Sequence, residues 1–300
     1  MTDASLPGSA TKVTLLDLSA MRARRQPIVM VTAYDAPSAR LADAAGIDVI
    51  LVGDSAGETV LGGGSTVAVT MDEMLLFTRA VSRATRRALV VADMPFGSYQ
   101  VSEDEAVSNA IRLVKESGAD AVKLEGAGRT LTRIGGIVDA GIPVMGHIGL
   151  TPQSATMQGG YRAQGRTAVA ARRIVAEAAA LERAGCFAVV LEAIPAVVAE
   201  RVTASLTIPT IGIGAGAGCA GQVLVWHDLL GLTTRQPPRF VKTYAKLDAI
   251  IDAALRSYAA EVRQNLYPET RHTYGMPDDE RERWEAESER KPGLRGDPVS

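Results

Sequence analysis

Four acidic residues lie where apolar, strand-like runs of the sequence give way to loops. They are Asp54 in DVILVGDS, Asp93 in LVVADMPF, Glu125 in DAVKLEG and Glu192 in FAVVLEAIP. In a protein whose strands alternate with helices, the carboxyl ends of parallel strands meet at one rim, so carboxylates that are distant in sequence can converge. The pattern therefore predicts an enzyme that arranges acidic side chains around one substrate.

Asp54 and Asp93 follow two consecutive predicted strands and are candidate ligands of Mg²⁺. Hard cations such as Mg²⁺ take oxygen ligands, commonly one or two carboxylates together with waters and substrate oxygens. Glu125, on the next strand, is a candidate third or water-mediated ligand. Each aspartate alone could instead cap a helix or form a turn. Three acids at three successive strand ends favour a metal site.

Further polar side chains occupy the same predicted strands. Lys123 lies two residues before Glu125 and therefore faces the same side, where an anion such as a substrate carboxylate, or Glu125 itself, would offset its burial. Glu192 ends an apolar strand, where partial desolvation would make it a better base; a solvated carboxylate is the alternative. His147, in VMGHIG, is a candidate for binding a substrate oxygen or orienting another group, and a purely structural role is nearly as frequent.

Eight apolar runs would position these side chains. They cover residues 28–34, 48–53, 88–94, 120–125, 143–148, 187–192, 209–214 and 222–226. Helical stretches rich in Ala, Glu, Arg and Leu lie between most of them. Eight strands joined through such crossovers predict a closed (β/α)8 TIM barrel over an open doubly wound sheet. An amphipathic helix over residues 13–25 is expected to close the bottom of the barrel.

The length and composition suit one large catalytic domain. The 300 residues are 47% hydrophobic and 22% charged, which is ample for a single core. We expect a flexible N-terminus over residues 1–12, the barrel over 13–275, and a charged, disordered tail over 276–300. The polar stretch 149–167 is too long for an ordinary connection and is expected to lie over the active rim; a mobile insertion without a role is the alternative.

Charge, cysteine content and hydropathy exclude several classes of protein. A net charge of −2 and a pI near 6.0 indicate neither a nucleic acid nor an anionic membrane as partner. Cys186 and Cys219 stand apart without CxxC spacing, which argues against a disulfide framework or a structural zinc site. The apolar runs end well before the roughly 18 residues that a membrane span requires. These features predict a soluble, cytoplasmic protein.

Ordered blocks around the candidate residues resemble the ketopantoate hydroxymethyltransferase family. They include TAYD (32–35), VGDSAG (52–57), ADMPFGSY (92–99), VKLEG (122–126), GHIGLTPQS (146–154), GGYRAQGR (159–166), LEAIP (191–195) and IGIGAG (211–216). The resemblance extends in order over about residues 14–274, which is far more specific than any short motif.

The resemblance implies a reaction and a cofactor. Members of the family transfer a hydroxymethyl group from the cosubstrate 5,10-methylenetetrahydrofolate to 3-methyl-2-oxobutanoate, giving 2-dehydropantoate and tetrahydrofolate in pantothenate and coenzyme A biosynthesis. Asp54 and Asp93 would ligate Mg²⁺, and Glu125 would complete the surroundings of the metal. Chelation of the oxo acid through its carboxylate and ketone would make the C3 proton more acidic and stabilise the enolate.

The resemblance also implies which residues hold and deprotonate the oxo acid. The acid would bind through the metal at Asp54 and Asp93, with help from Ser55 and Lys123, and Glu192 would remove the C3 proton. The family forms large ring-based homo-oligomers, so a decamer is expected.

Three positions depart from residues that are common in the family. Phe77 stands in place of a histidine, Ala68 in place of a proline, and Ala220 in place of an acidic residue. None of them replaces a proposed metal ligand or the base. The expected consequences therefore concern subunit contacts, loop shape or folate affinity rather than the reaction.

Two other functions compete with this one. The first is another Mg²⁺-dependent barrel that acts on a 2-oxo acid, of the phosphoenolpyruvate mutase or isocitrate lyase type, although the Lys-Lys-Cys-Gly-His run usual in isocitrate lyases is absent. The second is a non-catalytic subunit that keeps the barrel as a scaffold, since a fold does not dictate a function. The intact set of Asp54, Asp93, Lys123, Glu125 and Glu192 argues against the second.

Overall fold

A computed structural model describes residues 11–233 and 236–289 of the chain. Most of the N-terminal segment that is expected to be flexible, and the last part of the expected tail, lie outside these residues. The described chain forms two compact units that divide between Lys246 and Leu247, rather than at the sequence-based boundary of residue 275.

Eight parallel strands form a closed barrel in the first unit, in which each strand pairs with its sequence neighbours and the last pairs with the first. The strands are β1 Ile28–Thr32, β2 Val49–Val52, β3 Leu89–Asp93, β4 Ala121–Glu125, β5 Val144–Gly149, β6 Ala188–Glu192, β7 Thr210–Ile213 and β8 Gly221–Leu224. Their bounds differ from the predicted runs by only one or two residues at each end. The prediction of a TIM barrel is confirmed.

Helices precede and connect the strands. They are α1 Leu15–Ala23, α2 Ala36–Ala44, α3 Ala56–Thr59, α4 Met71–Ala84, α5 Glu103–Ser117, α6 Thr130–Asp139, α7 Ala168–Arg183, α8 Ala196–Ser205 and α9 Trp226–Leu230. Capping side chains define several of the starts: Thr14 and Thr70 each form a capping box with the acidic residue three positions later. Gly118, in the left-handed conformation, ends α5.

The hydrophobic core has two layers because successive strand residues face opposite sides of the barrel wall. The inner layer fills the barrel and includes Met30, Leu51, Val91, Met145 and Val190. The outer layer lies between the strands and the helices. The two layers bury the strands on both faces, as a parallel sheet requires.

Helix α1 closes the amino-terminal end of the barrel. Leu18 is 1% exposed and packs with the inner layer. The backbone N–H of Val13 donates to the carbonyl of Arg87 at 2.7 Å, and the Arg22 guanidinium donates to the carbonyl of Leu206. The prediction that the N-terminal helix caps the bottom of the barrel is confirmed.

Gly149, the last residue of β5, is sterically required. Its φ is +96°, and a Cβ at this position would overlap the carbonyl oxygen of Glu192. Gly141 has a similar φ of +85°, but a Cβ there would meet nothing within 4 Å. A substitution at Gly141 therefore introduces backbone strain alone, whereas the same substitution at Gly149 adds a steric overlap.

We expect Gly141→Ala to cost about 1–2 kcal/mol of unfolding free energy through backbone strain alone. Gly149→Ala should cost about 1–3 kcal/mol more, because the added methyl group has no room. Denaturant unfolding of the two variants measures the difference. Equal losses would show that the carboxyl end of β6 yields freely to the methyl group.

The second unit contains α10 Leu247–Arg263, a short 3₁₀ helix Thr270–His272 and α11 Asp278–Glu289. Helix α11 lies in the segment that is expected to be disordered. Its charges of opposite sign stand three or four residues apart, as in the pair of Arg281 with Asp278 at 3.0 Å, and such pairs support a helix. No helix among the described residues is long and apolar enough to cross a membrane.

Candidate active site

The candidate residues converge at the carboxyl-terminal end of the barrel. Asp93, Lys123, Glu125, His147 and Glu192 have the same strand parity as the residues of the inner layer, so their side chains face the interior. Asp54 and Ser55 lie just beyond β2. All seven line one cavity of about 550 Å³. The structure thus brings together every residue that the sequence nominates.

Lys123 and Asp93 form a buried ion pair. The ammonium lies 2.8 Å from Oδ1 of Asp93, and the side chains are only 5% and 4% exposed. The other oxygen of Asp93 accepts the backbone N–H of Asp54 at 3.0 Å. Burial alone would lower the pKa of Lys123, but the charges of Asp93, Glu125 and Asp54 raise it. Lys123 is therefore a permanent cation at the floor of the cavity.

The carboxylates crowd negative charge into a buried space. Burial raises the pKa of Asp54 well above its usual range, and the charges of Asp93 and Glu125 raise it further. Burial also raises the pKa of Asp93, against the opposing effect of Lys123. At the inner end of the cavity these three acids and Glu192 lie with the basic side chains of Lys123 and His147. A divalent cation would relieve this imbalance.

The donor set fits a magnesium site that depends on its substrate for further ligands. Within residues 11–233 and 236–289, no group of three or more His, Cys, Asp or Glu side chains is arranged to hold an ion. Glu125 is already engaged, because Oε1 lies 3.3 Å from Nδ1 of His147 and Oε2 accepts the backbone N–H of Gln153 at 3.0 Å. Asp93 also has partners, Lys123 at Oδ1 and the backbone N–H of Asp54 at Oδ2, but this second contact holds Asp54 and Asp93 next to each other. Two neighbouring carboxylates completed by waters and substrate oxygens are a usual Mg²⁺ environment.

His147 connects Glu125 to Glu192. Its Nδ1 lies 3.3 Å from Oε1 of Glu125 and its Nε2 lies 3.2 Å from Oε2 of Glu192. Burial and the charge of Lys123 lower the pKa of His147, but the two carboxylates outweigh them and raise it to about 9. The two carboxylates thus favour the protonated form of the ring, which places one ring nitrogen against each of them.

Three side chains in the site, Tyr34, Tyr99 and Gln153, were not identified as site residues from the sequence. The hydroxyl groups of Tyr34 and Ser55 lie 2.8 Å apart. Tyr99 and Gln153 are buried beside the carboxylates and hydrogen-bond to each other. The only sequence signal for Gln153 was its place in the polar stretch 149–167. Gln153 and Tyr99 lie outside the predicted strands, so strand periodicity could not find them, and Tyr34 closes the predicted run 28–34 but lies beyond the end of β1.

The outer part of the cavity is formed by loops. Tyr161 and Arg162 of the polar stretch line it, as do Arg239 and Phe240 from the segment after α9. The stretch thus lies at the active rim. A volume of this size is typical of sites for drug-sized ligands and leaves room beyond the acidic cluster.

Comparisons with known proteins agree with these observations. The family model described as ketopantoate hydroxymethyltransferase matches residues 12–270. A 3-methyl-2-oxobutanoate hydroxymethyltransferase from Moorella thermoacetica is 59% identical over 264 residues, covering 88% of this chain and 98% of that protein. One of the same name from Thermobifida fusca is 54% identical over 268 residues, covering 89% and 95% of the two chains.

Solved structures resemble the chain in fold. A 2,3-dimethylmalate lyase of the PEP mutase/isocitrate lyase superfamily has a TM-score of 0.55 at 16% identity, covering 91% of this chain and 98% of its own. A phosphonopyruvate hydrolase has a TM-score of 0.57 at 14% identity, covering 93% and 97%. At such low identity these likenesses concern the barrel fold alone.

Proposed function

Because this chain belongs to the ketopantoate hydroxymethyltransferase family and is a 3-methyl-2-oxobutanoate hydroxymethyltransferase, we propose that its one-carbon donor is 5,10-methylenetetrahydrofolate. The products are 2-dehydropantoate and tetrahydrofolate, and one water is consumed when the methylene carbon leaves as a hydroxymethyl group. The observation that carries this proposal is the convergence of four acids, a lysine and a histidine on one cavity.

Asp54 and Asp93 are the proposed ligands of Mg²⁺. The bound ion supplies Lewis-acid polarisation of the ketone, which makes the neighbouring C3–H bond more acidic. Glu125, held by His147 and the backbone of Gln153, is proposed to act on the metal through a water.

Lys123 and Ser55 are proposed to hold the oxo acid. The Lys123 ammonium can bind the substrate carboxylate, which would be its second anionic partner beside Asp93. The Ser55 hydroxyl, hydrogen-bonded to Tyr34, can donate to a substrate oxygen. An acid held by these two residues would lie in the cavity that Glu192 also lines.

Glu192 is the proposed base. Its side chain is 15% exposed, compared with 3% for Glu125, so it borders the open cavity rather than its floor. The His147 ring fixes one of its oxygens, which leaves the other for the C3 proton. A positioned base of this kind contributes about 10²- to 10⁴-fold to rate.

The outer part of the cavity is the proposed site for the folate. Its lining combines an aromatic ring, Phe240, with the cationic side chains of Arg162 and Arg239. Flat aromatic ligands stack on such rings, and cations suit the carboxylates of a glutamate tail. Assembly into a ring-based homo-oligomer, with ten subunits by family resemblance, is also proposed.

Proton NMR of 3-methyl-2-oxobutanoate in D₂O tests the reaction. With protein and Mg²⁺ we expect the C3 proton signal to disappear and the methyl doublet to collapse to a singlet. Adding methylenetetrahydrofolate should then produce hydroxymethyl signals, and a chelator should stop both steps because the polarising cation is removed. Exchange without product would favour a 2-oxo acid lyase or mutase, whereas no exchange by folded, metal-loaded protein would contradict the proposal.

A further inference from the structure

The polar loop after β5 inserts one side chain into the acidic cluster. Pro152–Ser154 form a 3₁₀ helix that carries Gln153, which is only 6% exposed. A buried amide must find partners for its two N–H groups and its carbonyl oxygen, because each unpaired group costs free energy. The partners of the Gln153 amide are the candidate metal ligand Asp54, the carbonyl of Met94 and the hydroxyl of Tyr99.

Every polar group of the Gln153 side chain is paired. Nε2 donates to Oδ2 of Asp54 at 2.8 Å and to the carbonyl of Met94 at 3.0 Å. Oε1 accepts the hydroxyl of Tyr99 at 2.5 Å. The Tyr99 hydroxyl in turn accepts the backbone N–H of Glu125 at 3.3 Å. A flipped amide would place its oxygen against a carboxylate and a carbonyl, so only one orientation is compatible with these partners.

The backbone of Gln153 adds a second link to the acids. Its N–H donates to Oε2 of Glu125 at 3.0 Å. One residue of the loop therefore contacts a carboxylate that follows β2 and another that ends β4, and its amide also contacts the chain just after β3. Asp54 needs such an anchor most, because it lies two residues beyond the end of β2 and outside the hydrogen-bonded wall.

We propose that Gln153 is a positioning residue that fixes Oδ2 of Asp54, so that Oδ1 faces a bound divalent cation, and that Tyr99 holds the Gln153 amide in its productive orientation. This inference rests on the proposed role of Asp54 as a metal ligand. It assigns the loop after β5 a part in metal binding that is separate from covering the cavity.

Replacing Gln153 with methionine keeps the length of the side chain and removes both contacts to Asp54 and Tyr99. The backbone N–H to Glu125 is unchanged, so the variant isolates the side-chain contribution. Losses of groups that orient metal ligands typically reduce metal affinity about 10- to 100-fold. We expect Q153M to bind Mn²⁺ more weakly by such a factor. Tyr99→Phe, which keeps the contact of Gln153 with Asp54 but removes the partner of the amide oxygen and the acceptor of the Glu125 N–H, should show a smaller loss.

Electron paramagnetic resonance of free Mn²⁺, titrated into metal-free full-length protein with and without 3-methyl-2-oxobutanoate, measures this affinity directly. The exchange of the C3 proton in D₂O should also report a weaker metal affinity. In Q153M, half-maximal exchange should need a higher metal concentration, whereas the rate at saturating metal should stay within a few-fold of that of the unchanged protein. Gln222→Met is the matched control, because Gln222 is exposed and its amide donates to the carbonyl of Gly216.

The possible results separate this inference from the proposed function. Equal Mn²⁺ affinity in Q153M, Tyr99→Phe and unchanged protein would overturn the positioning role while leaving the reaction intact. A loss of thermal stability with unchanged affinity would show a purely structural role and would overturn it too. If Q153M fails to fold, Tyr99→Phe alone decides. Absence of Mn²⁺ binding by the unchanged protein in the presence of the oxo acid would overturn both proposals.

Discussion

Glu192→Gln is expected to bind 3-methyl-2-oxobutanoate normally and to exchange its C3 proton about 10²- to 10⁴-fold more slowly. The glutamine keeps the shape of the side chain and its oxygen can still accept from His147, which lies 3.2 Å from Glu192 in the structure. Binding survives because the ligands assigned to the acid, Ser55 and the Lys123–Asp93 pair, are untouched. The amide cannot accept a proton from carbon, so only the chemical step is lost.

Exchange in D₂O, followed by NMR beside calorimetric titration of the oxo acid, separates the two effects. Glu116→Gln is the matched control, because Glu116 is exposed on α5 and its carboxylate pairs with Arg112 at the surface. Its exchange rate should equal that of the unchanged protein. Unchanged exchange in the Glu192 variant would remove this residue from the role of base.

Asp93→Ala is expected to weaken the binding of Mg²⁺ and of the oxo acid together. Asp93 is a proposed ligand, so the loss of metal affinity should exceed the ~10- to 100-fold caused by removing an orienting group. The oxo acid is affected as well because it is proposed to bind through the metal. The variant also leaves the buried Lys123 ammonium without its partner at 2.8 Å, which should reduce stability by about 3–5 kcal/mol.

Calorimetry of the folded variant, with and without Mg²⁺, measures both affinities. Asp93→Asn is the companion variant if the alanine protein unfolds, since the amide keeps the volume and an oxygen facing Lys123. Asp72→Asn, whose side chain is 86% exposed, should change neither affinity. An unaltered affinity for the oxo acid in either Asp93 variant would refute binding through the metal.

The fold was predictable because its hydrophobic pattern is regular. Each of the eight strands is a short apolar run, and Asp93, Glu125 and Glu192 continue the parity of the inner layer. Glu192, for example, follows Val190 and Ala188 by steps of two. Because side chains alternate between the two faces of a strand, the apolar pattern that predicts a strand also predicts which way its last side chain points. The helix at Asp278–Glu289 was missed because its stability depends on charge pairs within the helix rather than on an apolar face.

The interior partners of the acids were less accessible to sequence reasoning. Gln153 reaches Asp54 only because the loop after β5 turns back into the barrel, and loop paths follow from tertiary packing rather than from residue period. The bridge of His147 between Glu125 and Glu192 likewise depends on ring placement across adjacent strands. The sequence could nominate His147, but only the coordinates show which groups it joins.

The closed strand order has a consequence for how copies of the chain can associate. Because β8 pairs with β1, every strand of the described barrel has a hydrogen-bonded neighbour on both sides, so the barrel offers no backbone edge to a strand from another molecule. The proposed ring of subunits would then be joined by side chains of helices and loops. Its strength could change by surface substitution while the inner wall of the barrel stays the same.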